Sequence, residues 1–447
     1  MSVEPLPADP ALPALRQASD GDEMLELLRR HLRPVSQRYE IEGCRLSRIH
    51  YHRGDRCGLR YTLRLVDRET GRERSQWVTG LIYAGDRAAR VWRKLTASDP
   101  RRETPQAFPT FEPLAFVPEL ELIAQVFPYD RHLPALPRLT VAPPPDFEPH
   151  FLAELGAGDR QLASWTVAPV QYRIGRAAVL RYEVEDGAGK SFYAKVYRRE
   201  EQAERAHGVL RALADRREGG AAFTVPKPLA YVSELRTLVQ EEAPGTPLRQ
   251  LVSAGDDGSA VRRAAHALSA FRRGPVAGLP RHGLDGEVAA LKAASELLGV
   301  ACPKVAGRLR AVVAAVAARL DEVPAELTHG ELKTSHVFLS GDGVAVVDLD
   351  SCAASDPVLD PARLLADLAG LRLRAPDEGR WQAAGDAFAE AYLSAAPRAA
   401  RRRLVPHYAG ALLKEAVDFF RHLEPCWPEK VPMLIEKAED ALSRRDW

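Results

Sequence analysis

One short stretch, LTHGELKTSHVFLSGDGVAVVDLDSC (327–352), sets two groups of acids just past two strand-like apolar runs: Glu331 after the first, Asp348 and Asp350 after the second. His329 and His336 flank Glu331. Far upstream, Lys195 stands in the middle of the apolar segment FYAKVY, where an ammonium is costly to bury unless an anion meets it. The helix-like segment that follows offers Glu201 and Glu204 as such anions. An ammonium for phosphates, carboxylates for a divalent metal and a carboxylate to orient an attacking hydroxyl are what phosphoryl transfer requires, because that reaction is mostly positioning and charge stabilisation.

These groups need a scaffold of more than one core. With 447 residues, two or three domains are expected. Lys plus Arg at 62 nearly cancels Asp plus Glu at 61, leaving a net charge of +1 and no electrostatic case for nucleic acid or a membrane surface as partner. The five cysteines are scattered, with no CxxC pair to suggest a zinc site. No apolar run approaches the ~18 residues of a membrane span. The acidic, Pro-rich start does not read as a signal peptide, so a cytoplasmic protein is expected.

Along the chain, YHRGDRCGLRY at 51–61 matches YRIGRAAVLRY at 172–182, and the segment 113–136 lies without gaps over 228–251. The order in both is hairpin, strand, helix, Pro-led strand, strand, which reads as a duplicated unit. In the first copy Leu81 or Gly80 stands opposite Lys195. A Pro-rich linker is expected at 140–151. After 251 the pattern turns helical, at 259–273, 285–298 and 303–322, and again beyond 357.

The segment 327–368 resembles the catalytic and metal-binding loops of the aminoglycoside phosphotransferase and choline kinase-like superfamily, relatives of protein kinases. That pattern is His-Gly-Asp, four residues, Asn, an apolar strand ending in Asp, then Asp-Pro and a further Asp. Here it runs His329-Gly330-Glu331, four residues, His336, Asp348, Asp356-Pro357 and Asp360. Lys195 falls where the family's nucleotide lysine falls, and 237–251 resembles the hinge between lobes. The resemblance spans about 168–447 and implies an α+β, bilobal, protein-kinase-like fold: a β-rich N-lobe with its hinge over 151–250 and a mostly helical C-lobe over 251–447. Residues 1–150 would then be an additional N-terminal domain, a degenerate copy of the N-lobe serving as cap or docking surface.

The resemblance also implies ATP and Mg²⁺. Lys195, oriented by Glu204, would hold the α- and β-phosphates beneath the hairpin carrying Gly175 and Arg176, whose single glycine makes it a poor phosphate loop. Backbone groups at Gln240, Glu241 and Glu242 would meet adenine. Asp348 would bind Mg²⁺, and Glu331 would orient the acceptor hydroxyl. Glu331 replaces the family's Asp with one more methylene. His336 replaces its Asn, and imidazole suits Mg²⁺ poorly, so Asp350 is the candidate for the missing oxygen. Asp356 and Asp360 are expected to cap helices and tie the loop, and His329 to lock it.

The function expected is phosphorylation of a hydroxyl on a small molecule, such as a sugar, an antibiotic or a natural-product-like metabolite. The Arg excess over Asp plus Glu in 361–403 does not favour a polycationic acceptor. The alternatives are a weakened, pseudokinase-like binding module, a kinase acting on a peptide Ser/Thr docked by the N-terminal domain, and transfer of a nucleotidyl group.

Overall fold

The computed structural model describes residues 6–97, 101–102, 104–155, 165–184, 190–216, 223–275, 277–341, 343–375 and 378–447. They form two compact units: Met1–Ala203 with Leu229–Val239 and Phe420–Trp427, and Glu204–Pro228 with Gln240–Phe419 and Pro428–Trp447. Among the described residues no helix is long and apolar enough to cross a membrane.

The first unit holds two five-stranded sheets of like topology. Helix α1 (Gly21–His31) starts at Asp20, whose carboxylate accepts the amides of Asp22 and Glu23 at 2.9 and 3.0 Å. Strands β1 (Tyr39–His52), β2 (Arg56–Asp67) and β3 (Glu73–Tyr83) follow, then helix α2 (Arg87–Leu95), β4 (Leu114–Val117) and β5 (Leu122–Val126), in the order β1-β2-β3-β5-β4. After the short α3 (Leu136–Leu139) and α4 (Glu148–Leu155) come β6 (Trp165–Arg173), β7 (Ala177–Val184) and β8 (Ser191–Tyr197), helix α5 (Glu200–Ala214), and β9 (Pro228–Val232) and β10 (Thr237–Glu241). Their order, β6-β7-β8-β10-β9, repeats the first sheet.

The likeness extends to single hydrogen bonds. Asp9 accepts the Tyr51 hydroxyl and the Gly54 amide, both at 2.8 Å. Asp130 accepts the Tyr172 hydroxyl at 2.8 Å and the Gly175 amide at 2.7 Å, at the same separations of 42 and 45 residues. Tyr61 donates to the Ala18 carbonyl at 2.6 Å and Tyr182 to the Leu139 carbonyl at 2.7 Å. Register places Leu81 opposite Gly58 and Lys195 opposite Val179, so Leu81 occupies the lysine's position in the first copy.

Alternation along β7 sends Ala178, Leu180 and Tyr182 inward. The core they build takes Leu133, Leu136, Leu139, Phe147 and Phe151 from the segment before the second sheet. Phe151 stacks on Phe192 with ring centroids 4.3 Å apart. The expected 140–151 linker is thus in part α4 and a buried layer of this core.

The second unit is mainly helical: α6 (Leu248–Ala254), α7 (Ser259–Phe271), α8 (Leu284–Ala301), α9 (Ala306–Ala317), α10 (Leu359–Arg374), α11 (Glu378–Ala395), α12 (Arg398–Arg421) and α13 (Trp427–Ser443). Between its helices run the short strands β11 (Thr246–Pro247), β12 (Glu326–Thr328), β13 (Val337–Ser340), β14 (Gly343–Val346) and β15 (Ala353–Ser355). They form a β11-β13-β14 sheet and a β12-β15 pair. Gly245 leads into β11 at φ 99°, where a Cβ would stand 2.2 Å from the Leu339 carbonyl oxygen, so only glycine lets these backbones meet.

Candidate active site

Glu331 sits on the loop 329–336, and helix α10 fixes that loop from beneath. Asp360 accepts the amides of His329 at 2.7 Å and Gly330 at 2.9 Å. Seven residues on, two turns along the same helix face, Asp367 accepts the amide and hydroxyl of Thr334 at 2.8 and 2.6 Å. Burial pushes the Asp360 carboxyl up, opposed by the His329 and Gly330 amides. Gly330 has φ 81°, and a Cβ there would lie 2.3 Å from the Ser351 carbonyl oxygen. His329 is fully buried and its Nε2–H donates to the Val347 carbonyl at 2.8 Å. It locks the loop to the segment after β14 (the role expected of it) while its Nδ1 finds no partner among the described residues.

His336 closes the loop. Because the Glu331 carbonyl can only accept, Nδ1 carries the proton and donates to it at 3.0 Å. The Nε2 lone pair then faces the Asp348 carboxylate at 3.7 Å. Burial, then the neighbouring His329, lowers the His336 pKa to about 4, so the imidazole is neutral near pH 7. Asp348 itself sits at φ 63° and ψ 53°, a left-handed turn that lifts its side chain out of the strand direction. Asp350 lies two residues on, half-buried in a 3-10 turn.

Among the described residues no three His, Cys, Asp or Glu side chains close on one metal position. Mg²⁺ does not need such a cage: it is usually held by one or two carboxylates, with water and substrate phosphates completing the octahedron. Asp348 and, two residues on, Asp350 are carboxylates of the kind that could do so. His336 hydrogen-bonds the Glu331 carbonyl instead.

The other expected residues lie as follows. Lys195 is half-buried on β8, its Nζ 5.7 Å from the Tyr197 ring centroid. Glu204 and Glu201 are exposed on α5. Gly175, at φ 63° in the β6–β7 turn, is buried, and its amide is already donated to Asp130. Arg176 is exposed beside it. Gln240 and Glu241 are half-buried and Glu242 is exposed; the Glu241 amide donates to the Lys227 carbonyl at 3.0 Å, which removes that donor from any hinge contact. Neither Asp356 nor Asp360 caps α10, whose N-cap is Val358 with no side-chain cap bond: Asp360 ties the loop from inside the helix, and Asp356 receives Arg403 Nε at 2.9 Å, His407 Nε2 at 3.2 Å and the Val358 amide at 3.0 Å.

Several positioning groups escaped the sequence reading. Asp9 and Asp130 are two, although D-x-x-LPAL recurs at 9–15 and 130–136 and could have revealed them. Lys333, inside the loop, donates to Asp418 at 2.6 Å; burial lowers its pKa, but Asp418, Glu415 and Asp367 outweigh that and raise it. Lys414 meets both Glu287 oxygens at 2.6 Å, and His282 Nε2 lies 2.8 Å from the same carboxylate. Lys414 also feels the Glu331 charge.

The family model of the phosphotransferase enzyme family matches residues 173–397, just over half of the chain. The chain belongs to that family, and its fold is the β-rich plus helical one expected. Among curated proteins no sequence relative is recognisable. Similar solved structures include an aminoglycoside phosphotransferase in complex with GDP and kanamycin, 14% identical, with a TM-score of 0.46 over 66% of this chain and 98% of that one. A choline/ethanolamine kinase family protein from Mesorhizobium loti is 16% identical, with a TM-score of 0.41 over 66% of this chain and 98% of that one. An aminoglycoside phosphotransferase from Streptomyces rimosus is 22% identical, with a TM-score of 0.38 over 60% of this chain and 98% of that one.

Proposed function

We propose that this phosphotransferase uses ATP and Mg²⁺ to phosphorylate a hydroxyl on a small molecule. The observation that supports it most is the placement of Glu331 on a loop held by Asp360 and Asp367, with Asp348 facing His336 at the loop's far end. Glu331 orients the acceptor hydroxyl and takes its proton. Lys195 contacts the α- and β-phosphates. Asp348 supplies carboxylate oxygen to Mg²⁺, which when bound neutralises phosphate charge. The loop's anchoring by buried carboxylates keeps Glu331 in place, which matters because a displacement of ~1 Å at such a group costs about a hundredfold in rate.

A second reading, a nucleotide-binding module without turnover, draws on two observations: Glu331 and His336 replace the family's Asp and Asn, and the amides of Gly175 and Glu241 are committed within the protein. Thermal-shift titration with ATP and Mg²⁺, paired with ATP consumption over a panel of small hydroxyl compounds, separates the two. Stabilisation plus acceptor-dependent consumption, reduced about a hundredfold or more in Lys195→Ala and Glu331→Gln, supports the enzyme. Stabilisation without consumption on any acceptor supports the module. An unchanged melting curve defeats both.

A further inference from the structure

Four helices of the second unit enclose a cleft of about 200 Å³, more than the ~150 Å³ of an apolar cavity that accepts benzene. Buried side chains make its apolar wall: Leu365 and Leu368 from α10, Trp381 from α11 and Val405 from α12. Residues of the loop 329–336 do not line it. On α10, Leu365, Leu368 and Arg372 leave the helix about a third of a turn away from Asp360 and Asp367, which hold that loop.

Two observations bear on what the cleft would take. The first is Tyr408, which lines it from α12 and is 6% exposed. Its ring stands edge-on to Trp447 with centroids 4.9 Å apart. Among the described residues its hydroxyl has no hydrogen-bond partner, a costly state for a polar group so deep. Burial pushes the phenol pKa up, so the group keeps its proton and is a donor near pH 7.

The second is charge. The lining carries three cations, Arg372, Lys437 and Arg444, against two acids, Asp386 and Asp440. Arg372 donates to Gln382 Oε1 at 3.0 Å and the Gln382 amide donates to Asp386 at 2.9 Å, which bridges that pair. Among the described residues Lys437 and Arg444 form no ion pair, although Asp440 lies about one turn from each. Lys437 is half-buried; burial, with Arg372 and Arg444, lowers its pKa against the pull of Asp386 and Asp440. An ammonium so placed gains from one added negative charge.

We propose that this cleft binds a small aromatic monocarboxylate, its ring against Leu365, Leu368 and Trp381 and its carboxylate accepting from the Tyr408 hydroxyl and the Lys437 ammonium. An apolar wall with a few convergent polar groups is the make-up of a small-molecule site. This inference does not rest on the phosphotransferase reading.

The test is titration of the full chain with para-fluorobenzoate in low-salt buffer, followed by fluorine NMR of the ligand. Saturable binding is expected, with the neutral para-fluorobenzamide at least about tenfold weaker. Lys437→Met and Tyr408→Phe should each weaken the acid at least about fivefold. Excess ATP with Mg²⁺ should leave its affinity within about twofold. Circular-dichroism melting checks that each variant folds, and should Lys437→Met fail to fold, Tyr408→Phe carries the reading alone. No saturable binding, equal affinity for the amide, or undiminished affinity in a folded variant overturns the site. Displacement by ATP also overturns it, because the acid would then sit where the nucleotide does.

Discussion

The carboxylate of Asp130 accepts the backbone N–H of Gly175 at 2.7 Å, and so holds the turn of the second hairpin to the segment in front of its sheet. Asp9 does the same for Gly54 in the first copy. The two tethers are alike in bonding and differ in what they tether. Asp130→Asn and Asp9→Asn are each expected to lower stability by about 1–3 kcal/mol, because an amide group turns one donor towards another. Only Asp130→Asn should also weaken ATP binding. Denaturant melts and nucleotide titrations of both variants check this; equal nucleotide affinity in the two would remove the second hairpin from the nucleotide site.

Asp360 holds two consecutive loop amides from a fully buried position. Asp360→Asn preserves shape but can accept with one oxygen only. A stability loss of about 2 kcal/mol is expected, together with a fall in kcat of about ten- to a hundredfold from misplacement of Glu331. KM for ATP should change little. If KM rises while kcat holds, the loop anchor is not what positions the acceptor.

Lys333 and Asp418 form a partly buried ion pair at 2.6 Å, with side chains 28% and 25% exposed. Removing one partner leaves the other charge poorly solvated. Asp418→Asn is expected to cost about 2–3 kcal/mol, and Lys333→Met in its presence should cost less than alone. A double-mutant cycle in urea measures the coupling, and additive losses would show that the pair contributes nothing by itself.

Burial, with Arg176, His52, Arg421 and Arg56 around it, lowers the His50 pKa to about 3 from 6.5. Between those values the unfolded chain binds a proton that the folded one refuses, so stability falls as pH drops through that window. The expected loss is about 4 kcal/mol by its lower end. His50→Gln should flatten the slope of stability against pH between 6.5 and 3. An unchanged slope would mean that His50 takes up its proton without unfolding.

Much of this was legible beforehand where a residue's neighbours are its chain neighbours. The duplicated hairpins, the strand bearing Lys195 and the turn after β14 announce themselves through period-two patterns and turn residues. The helices that begin after 357 do so through a helical period instead. What escaped is set by tertiary packing. Asp130 reads as a loop acid until Tyr172 and Gly175 arrive from more than forty residues away. Asp367 reads as one more charge on α10 until its spacing from Asp360 is laid on a helix face. Lys333 looks like an exposed loop lysine until α12 brings Asp418 to it. The expected linker at 140–151 was misjudged in part because prolines announce a change of direction, and say nothing about whether Phe147 and Phe151 are covered.

That covering has a practical consequence for anyone cutting the gene. A shortened protein starting at residue 151 would lose Leu133, Leu136, Leu139 and Phe147 from beneath the second sheet, and would strand Tyr172 and Tyr182 without the oxygens they donate to. Severing ahead of Asp130 keeps those partners but still removes Trp77 and Phe127, which pack against the same core.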